Sequence, residues 1–286
     1  MELRYFEPHP ALKPLVSSYY YAALPDGAAD LQRAESPNLR FFLSGSAAAP
    51  GRFDNDTFEA PCAIVCGTTM KASEVVFGPG TRVFGISLTP LGWQSCMHLP
   101  ADELTERVEH LDVVKGLSAA IALEQMLEAD NDAMMIAAAD AFLAGLAVAQ
   151  PRINQPFIDA ASAWLGDPTL GGVDSLIASL DVSPRQAERL CRQYFGAPPK
   201  RLFRKFRALH ASNRLAWSDD QAWLSVAHPS FYDQSHFIRD FRCRCHDRCF
   251  VGWLCWIDNR CFGWYCLDKL CRKHLTIHDQ RINRHR

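Results

Sequence analysis

Apolar residues recur at helical spacing in one stretch of the chain: Val173, Leu176, Ile177 and Leu180. A short amphipathic helix is therefore predicted over Val173–Leu180. After a tight break, Ser183 and Pro184 have the residue types of an N-cap and a first helical position. The second helix is predicted to run to about Tyr194 and stop at Gly196, a C-terminal breaker. Its buried face would carry Ala187, Leu190 and Cys191. Two short helices around a tight turn predict a helix-turn-helix.

The first 113 residues show a different pattern, with short apolar runs broken by Pro, Gly, Asn and Asp. The predicted strands are Val16–Tyr21, Leu39–Leu43, Ala63–Val65, Ser73–Phe77 and Val83–Leu88. Many short strands with turn residues between them predict a sandwich or an open barrel. Residues 114–150 predict helices instead. Their apolar residues at helical spacing are Leu117, Ile121 and Leu123, followed by Met134, Ala138, Phe142 and Leu146.

Prolines mark a linker at Gln150-Pro151 and Asn154–Pro156, because a residue before proline leaves helical geometry. After it, Phe157–Leu165 and Pro199–Ala216 are predicted helices. The longer helix would turn Leu202, Phe203, Phe206, Leu209 and Leu215 inward. It would turn Lys200, Arg201, Arg204, Lys205 and Arg207 outward. The predicted fold class is therefore α+β, with an N-terminal mostly-β sandwich or barrel-like domain followed by an all-α domain with two helix-turn-helix motifs.

Charge is distributed unevenly along the 286 residues, although the formal net charge is only -2. Residues 1–150 contain nine Lys or Arg and nineteen Asp or Glu, so this part is acidic. Between Arg185 and Arg214 there are nine Lys or Arg and one acid, Glu188. The outer face of the second predicted helix carries Arg185, Gln186, Glu188, Arg189 and Arg192. Such a basic segment favours contact with phosphates, and the helix could enter a major groove.

The stretch LIASLDVSPRQAERLCRQYFGAPPKRLFRKFRALHA resembles the first helix-turn-helix of the AraC family of bacterial transcription regulators. Further on, FYDQSHFIRDF (Phe231–Phe241) is similar to the recognition helix of that family's second helix-turn-helix. Two N-terminal patches, ESPNLRFFLSG and VFGISLTPLGWQSCMHLPADELTERVEHLDV, more loosely resemble a sensor-like domain found in one branch of the family. The resemblance implies domains over 1–113 (sensor-like), 114–150 (connecting or dimerisation helices) and 151–241 (DNA-binding).

The resemblance also implies which residues touch DNA. On the first recognition helix, Arg185, Glu188 and Arg189 match base-contacting positions. On the second, Tyr232, Gln234 and Arg239 match them. Arginine suits guanine, glutamate can accept from cytosine, and glutamine suits adenine. The full predicted DNA-binding set is Arg185, Gln186, Glu188, Arg189, Arg192, Lys200, Arg201, Tyr232, Gln234, Ser235 and Arg239. Double-stranded DNA is the predicted partner, and the resemblance allows a small-molecule effector, RNA polymerase and a second copy of the chain.

The tail, residues 242–286, departs from the family pattern. Seven of the eleven cysteines crowd between Cys243 and Cys271. A shifted reading frame is the favoured interpretation, because the composition changes abruptly inside a matched motif and apolar periodicity is lost. A zinc site at Cys243, Cys245, His246 and Cys249, a disulfide cluster and a natural extension are the alternatives. A frameshifted tail would be disordered and would remove the closing helix.

The second helix-turn-helix shows a further departure. Pro229 would end its first helix early, and Ser230 stands where relatives have glycine. Without a closing helix, Phe237 and Phe241 should be exposed. Binding would then be weak, with a half-length footprint, and solubility poor.

Other function classes find little support. The sequence has no nucleophile elbow, phosphate-binding glycine loop or zincin motif, so no enzyme activity, metal or cofactor is predicted. No run is long enough to span a membrane, which predicts a soluble cytoplasmic protein. The alternative function is a small-molecule binding module with an impaired DNA-binding domain. Its apolar pocket would be built from Tyr19, Tyr20, Phe41, Phe42 and Trp93.

Overall fold

The computed structural model describes residues 1–50, 57–147, 153–167, 171–180, 182–217, 231 and 234–244. Within these ranges, the side chains at 213–217, 234–236, 238 and 242 are outside the description. The predicted tail is therefore outside it from residue 245 onward, as is the Pro229 segment. No helix of the described residues is long and apolar enough to cross a membrane.

Ten strands build the N-terminal part in two antiparallel sheets. The strands are β1 (Glu2–Phe6), β2 (Val16–Leu24), β3 (Ala28–Gln32), β4 (Asn38–Ser44), β5 (Ser46–Ala48), β6 (Thr57–Glu59), β7 (Cys62–Cys66), β8 (Ser73–Phe77), β9 (Thr81–Leu88) and β10 (Val108–His110). The larger sheet has the order β1-β2-β9-β4-β7-β10, and the smaller has β3-β8-β5-β6. All five predicted strands are confirmed, although most are longer than predicted.

Helices make up the rest of the described chain. They are α1 (Pro90–Met97), α2 (Leu111–Lys115), α3 (Leu117–Leu127), α4 (Asp132–Leu146), α5 (Gln155–Gly166), α6 (Val173–Leu180), α7 (Pro184–Phe195), α8 (Pro199–Trp217) and α9 (Gln234–Arg244). Two 3-10 turns lie at Pro10–Leu12 and Ala101–Leu104. The predicted α+β class is confirmed, with helices following a β-rich N-terminal part.

The larger sheet forms the middle of three layers. Because side chains alternate along a strand, Tyr19 and Tyr21 of β2 face helices α1–α4, while Tyr20 and Ala22 face the smaller sheet. Gly85 of β9 is required by this packing, since an added Cβ would lie 1.9 Å from the Tyr20 ring.

Helices α5–α8 belong to a second domain with its own apolar core around Phe157, Trp164, Leu176 and Leu190. Met70, from a loop of the β-rich domain, is buried in that core. The two domains therefore share a packed boundary, which places helices α5–α8 directly against the loops of the larger sheet.

The predicted connecting helices leave part of their apolar periodicity exposed to solvent. Leu117 and Ile121, which recur at helical spacing, are 76% and 45% exposed. The small residues Ala119 and Ala122, with Met126, are buried there instead. Small side chains allow α3 to approach the sheet and α4 closely, so the larger residues lie on the opposite face.

Candidate nucleic-acid interface

The first helix-turn-helix forms from α6 and α7. The hydroxyl of Ser183 accepts from the Gln186 amide at 3.2 Å, and Pro184 occupies the first turn. Gly196 ends α7 in the left-handed conformation with φ of 81°. Ala187, Leu190 and Cys191 are buried on the inner face. The predicted cap, buried face and stop are all confirmed.

The outer face of α7 is open to solvent over the whole predicted set: Arg185, Gln186, Glu188, Arg189 and Arg192. Arg192 donates to Glu188 at 3.0 Å, and Arg189 donates to Gln193 at 3.4 Å. An exposed ion pair of this kind contributes about 0–1 kcal/mol. These side chains can therefore exchange their internal partners for a base or phosphate at little cost.

The described part of the second predicted recognition helix is α9, Gln234–Arg244. Tyr232 lies outside the described residues. Gln234 and Ser235 lie in the first turn of α9, and Arg239 is exposed. Lys200 and Arg201, at the start of α8, are exposed as predicted.

The prediction that the aromatic face of α9 would be exposed is wrong. Phe237 is 8% exposed and Phe241 is partly buried. Ring centroids of Phe231 and Phe237 lie 5.1 Å apart, and those of Phe237 and Phe241 lie 5.2 Å apart. The inner residues of α8, among them Ala208 and Ala211, pack against this cluster. Helix α8 therefore packs against rings that were predicted to have no covering helix.

A buried carboxylate joins α8 to α9. Asp240 is fully buried and forms ion pairs with Arg204, Arg207 and Arg244. Burial alone would raise the pKa of Asp240, but hydrogen bonds from Arg204 and Arg207 and the charge of Arg244 lower it to about 2. The carboxylate therefore stays charged and fixes the guanidinium groups of α8.

A basic groove opens beside this cluster, between the start of α6 and the helices α8 and α9. Its volume is about 860 Å³. It is lined by Gly172, Val173, Asp174, Lys200, Phe203, Arg204, Arg207 and Arg239. Four cationic side chains face one carboxylate along its lining, so the groove favours an anion.

Lys205 lies elsewhere than predicted. It is 1% exposed, and its Nζ donates to the Glu35 carbonyl at 2.8 Å and to Thr68 Oγ1 at 3.0 Å. Helical spacing indicates that Lys205 is buried, although its position in a run of basic residues suggested an exposed side chain. Lys205 lies three residues after Leu202 and four before Leu209, and both leucines are buried. Lys205 therefore belongs to the buried stripe of α8 and cannot contact DNA in this structure.

Behind Lys205, the β-rich domain contains a buried polar network. Glu35 Oε2 accepts from Arg40 Nη2 at 2.8 Å, and Arg40 Nε donates to the Tyr20 hydroxyl at 2.9 Å. Burial disfavours the charge on Arg40, but Glu35, Tyr20 and Cys66 outweigh it and raise the pKa of Arg40. Burial raises the pKa of Tyr20 to about 12. Sequence reasoning missed this network because its members are far apart in the chain.

The predicted aromatic pocket is not formed by its five residues. Tyr19, Phe41 and Trp93 pack on the helix side of the larger sheet, while Tyr20 and Phe42 pack against the smaller sheet. Neighbouring residues of one strand point to opposite faces, so they cannot line one cavity. All five are at most 1% exposed and serve as core.

Within the described ranges, no group of three or more His, Cys, Asp or Glu is arranged to hold a metal ion. The suggested zinc ligands Cys245, His246 and Cys249 lie beyond those ranges. Burial raises the pKa of the Cys191 thiol to about 12, and that of Cys96 to about 11. These thiols remain protonated at neutral pH and act as small apolar groups.

No family model matches the chain, and no curated protein matches it. Several solved structures show a weak overall similarity to the chain. A crystal structure of ToxT from Vibrio cholerae has a TM-score of 0.45 and 10% identity, over 85% of this chain and 94% of that chain. An apo ToxT variant from strain SCE256 has 0.44 and 11%, over 78% and 92%. The AraC-like transcriptional activator CuxR has 0.26 and 10%, over 66% and 79%. At such values the likeness carries no argument about function.

Proposed function

We propose that this chain is a sequence-specific DNA-binding transcription regulator of the AraC type. The observation that carries the proposal is α7, a recognition helix whose cap, apolar face and stop are in place and whose outer face is exposed and basic. Its inner face packs in the apolar core of helices α5–α8, so the outer face is available to a major groove. Binding, not catalysis, is the proposed activity.

The basic groove supports a second contact with DNA. Two recognition helices in adjacent major grooves must pass a stretch of phosphate backbone between them. Lys200 of α8 and Arg239 of α9 line the groove and are exposed, while Asp240 holds Arg204 at its wall. A phosphate needs cations in fixed positions, and this groove supplies them. We assign Lys200 and Arg239 to backbone or base contact from this groove. We assign Arg201, which is exposed at the start of α8, to a backbone contact as well.

Arg189→Ala tests base reading by α7. The change should weaken binding to the preferred sequence by about 1–3 kcal/mol and relax one base position, while binding to random DNA changes little. Arg201→Ala is the matched control, since loss of a phosphate contact should weaken all sequences alike and flatten the salt dependence. Titrations at several salt concentrations measure both. Equal losses on specific and random DNA for Arg189→Ala would remove it from the base-reading set.

The connecting helices favour a homodimer. Val113, Leu117 and Ile121 are exposed by 76%, 76% and 45%, and Met134 of α4 by 45%. Leu117 and Ile121 lie four residues apart and therefore share one face of α3, and an exposed apolar face marks an interaction site. We expect Ile121→Glu to shift a dimer toward monomer in sedimentation velocity. Glu74→Gln, an exposed acid on the smaller sheet, should have no effect. A monomeric wild-type chain at micromolar concentration would contradict this assignment.

A small-molecule effector, a contact with RNA polymerase and a cytoplasmic location rest on the family resemblance and stay predictions. ToxT has been crystallised with an unsaturated fatty acid bound. The alternative, a ligand-binding module with an impaired reader, loses its predicted aromatic pocket and the predicted exposure of the α9 rings.

A further inference from the structure

The β-rich domain holds the C-terminal end of α7. Gln94 Nε2 donates to the Gln193 carbonyl at 3.0 Å, and Thr105 Oγ1 donates to the Gly196 carbonyl at 2.7 Å. The approach is close. A Cβ added at Gly196 would lie 2.4 Å from both Thr105 Oγ1 and Thr68 Cγ2. The last carbonyls of a helix have no partner within the helix, so these side chains satisfy groups that α7 leaves open.

The same domain holds the last described turn of α9. The backbone amide of Ala72 donates to the Cys243 carbonyl at 3.0 Å, and the amide of Ala34 donates to the Arg244 carbonyl at 2.9 Å. The two amides belong to two different loops of the β-rich domain. Both recognition helices are therefore held at their C-terminal ends by the same domain.

Lys205 is the third attachment point, on the helix that joins the two motifs. Thr68 links this attachment point to the one at the end of α7, because its Oγ1 accepts from Lys205 while its Cγ2 lies against Gly196. A buried amine needs hydrogen-bond partners, since desolvation of an unpaired charge is costly. The Glu35 carbonyl and Thr68 supply those partners from the β-rich domain.

We propose that the N-terminal domain is a template that sets the separation and orientation of the two recognition helices. It contacts α7, α8 and α9 together, at the ends or faces remote from the N-terminal residues that read bases. Holding these ends leaves both reading surfaces free. A shift of the 33–36 or 67–72 loops would move the attachment points together and change the register of the two helices. The consequence for DNA rests on the proposed function, whereas the attachment itself does not.

The test is hydrogen exchange on the full chain without DNA. Lys205→Met keeps the length of the side chain and removes its charge, and the Glu35 carbonyl keeps the Thr69 amide as a donor at 3.0 Å. Lys205 holds the Glu35 carbonyl, and the neighbouring Ala34 amide donates to the Arg244 carbonyl of α9. Since a hydrogen bond to a charged group is lost, exchange in the last turn of α9 should become about tenfold faster. Thr105→Val should accelerate exchange in the last turn of α7. Lys200→Met, an exposed lysine on the same helix, should change neither.

Thr68→Val provides a second route if Lys205→Met does not fold, and it should accelerate exchange at α9. Unchanged exchange at both helix ends in these variants would overturn the template. Equal acceleration throughout the strands of the β-rich domain would also overturn it, because the contacts would then stabilise that domain alone. A chain that shows the stated pattern but binds no DNA would sink the proposed function and leave the template in place.

Discussion

Asp240→Asn is expected to loosen the second recognition helix strongly. The change keeps the shape of the side chain but removes the buried carboxylate that forms ion pairs with Arg207 and Arg244, which are 9% and 7% exposed. Removal of one member of a buried ion cluster costs about 3–5 kcal/mol. The opening free energy of the α9 amides, measured by hydrogen exchange, should fall by that amount. Asp159→Asn, an exposed acid on α5, should change it by less than about 0.5 kcal/mol.

The same cluster predicts a dependence on pH. Since the pKa of Asp240 is lowered from 3.8 to about 2 in the folded chain, its contribution is complete above pH of about 4. The contribution is lost as the pH falls from about 4 through 2, where the folded carboxyl takes up its proton. Asp240→Asn should abolish this part of the acid dependence of α9 opening. An acid dependence identical in wild type and variant would contradict the role of the carboxylate.

Glu35→Gln is expected to destabilise the β-rich domain by about 3–5 kcal/mol, because Arg40 would keep a buried charge without its carboxylate. The pair is 3% and 7% exposed, with an Nη2–Oε2 distance of 2.8 Å. Urea unfolding followed by circular dichroism of the strands measures the change. Glu109→Gln is the matched control, since its partner Arg107 is 57% exposed and a surface pair contributes about 0–1 kcal/mol. Equal midpoints for the two variants would show that the buried pair is dispensable.

Local pattern predicted the first helix-turn-helix almost completely. Ser183, Pro184 and Gly196 act within a few residues of their own position, so their cap and stop can be derived without tertiary structure. Five of the ten described strands were predicted in the same way, while β1, β3, β5, β6 and β10 were missed. The first two are partly exposed edge strands with weak alternation, and the other three are only three residues long.

Contacts between residues far apart in the chain could not be predicted from the sequence. Lys205 follows Lys200, Arg201 and Arg204 and was grouped with them, although helical spacing put it between Leu202 and Leu209. Its partner Glu35 is 170 residues away in the chain. Phe237 was predicted to be exposed because a frameshifted tail would remove the closing helix, but α8 packs on this ring. In both cases a neighbouring element in space, not in sequence, decides whether the side chain is buried.

The central claim is that two recognition helices read adjacent major grooves. Selection of binding sites from random duplexes with the purified full chain, followed by footprinting on the enriched sequence, tests it most directly. Because the α9 rings are packed, we expect two protected half-sites about one helical turn apart in place of the half-length footprint predicted from the sequence. Affinity should fall steeply with salt. No enriched sequence, or protection of a single half-site, would contradict the account.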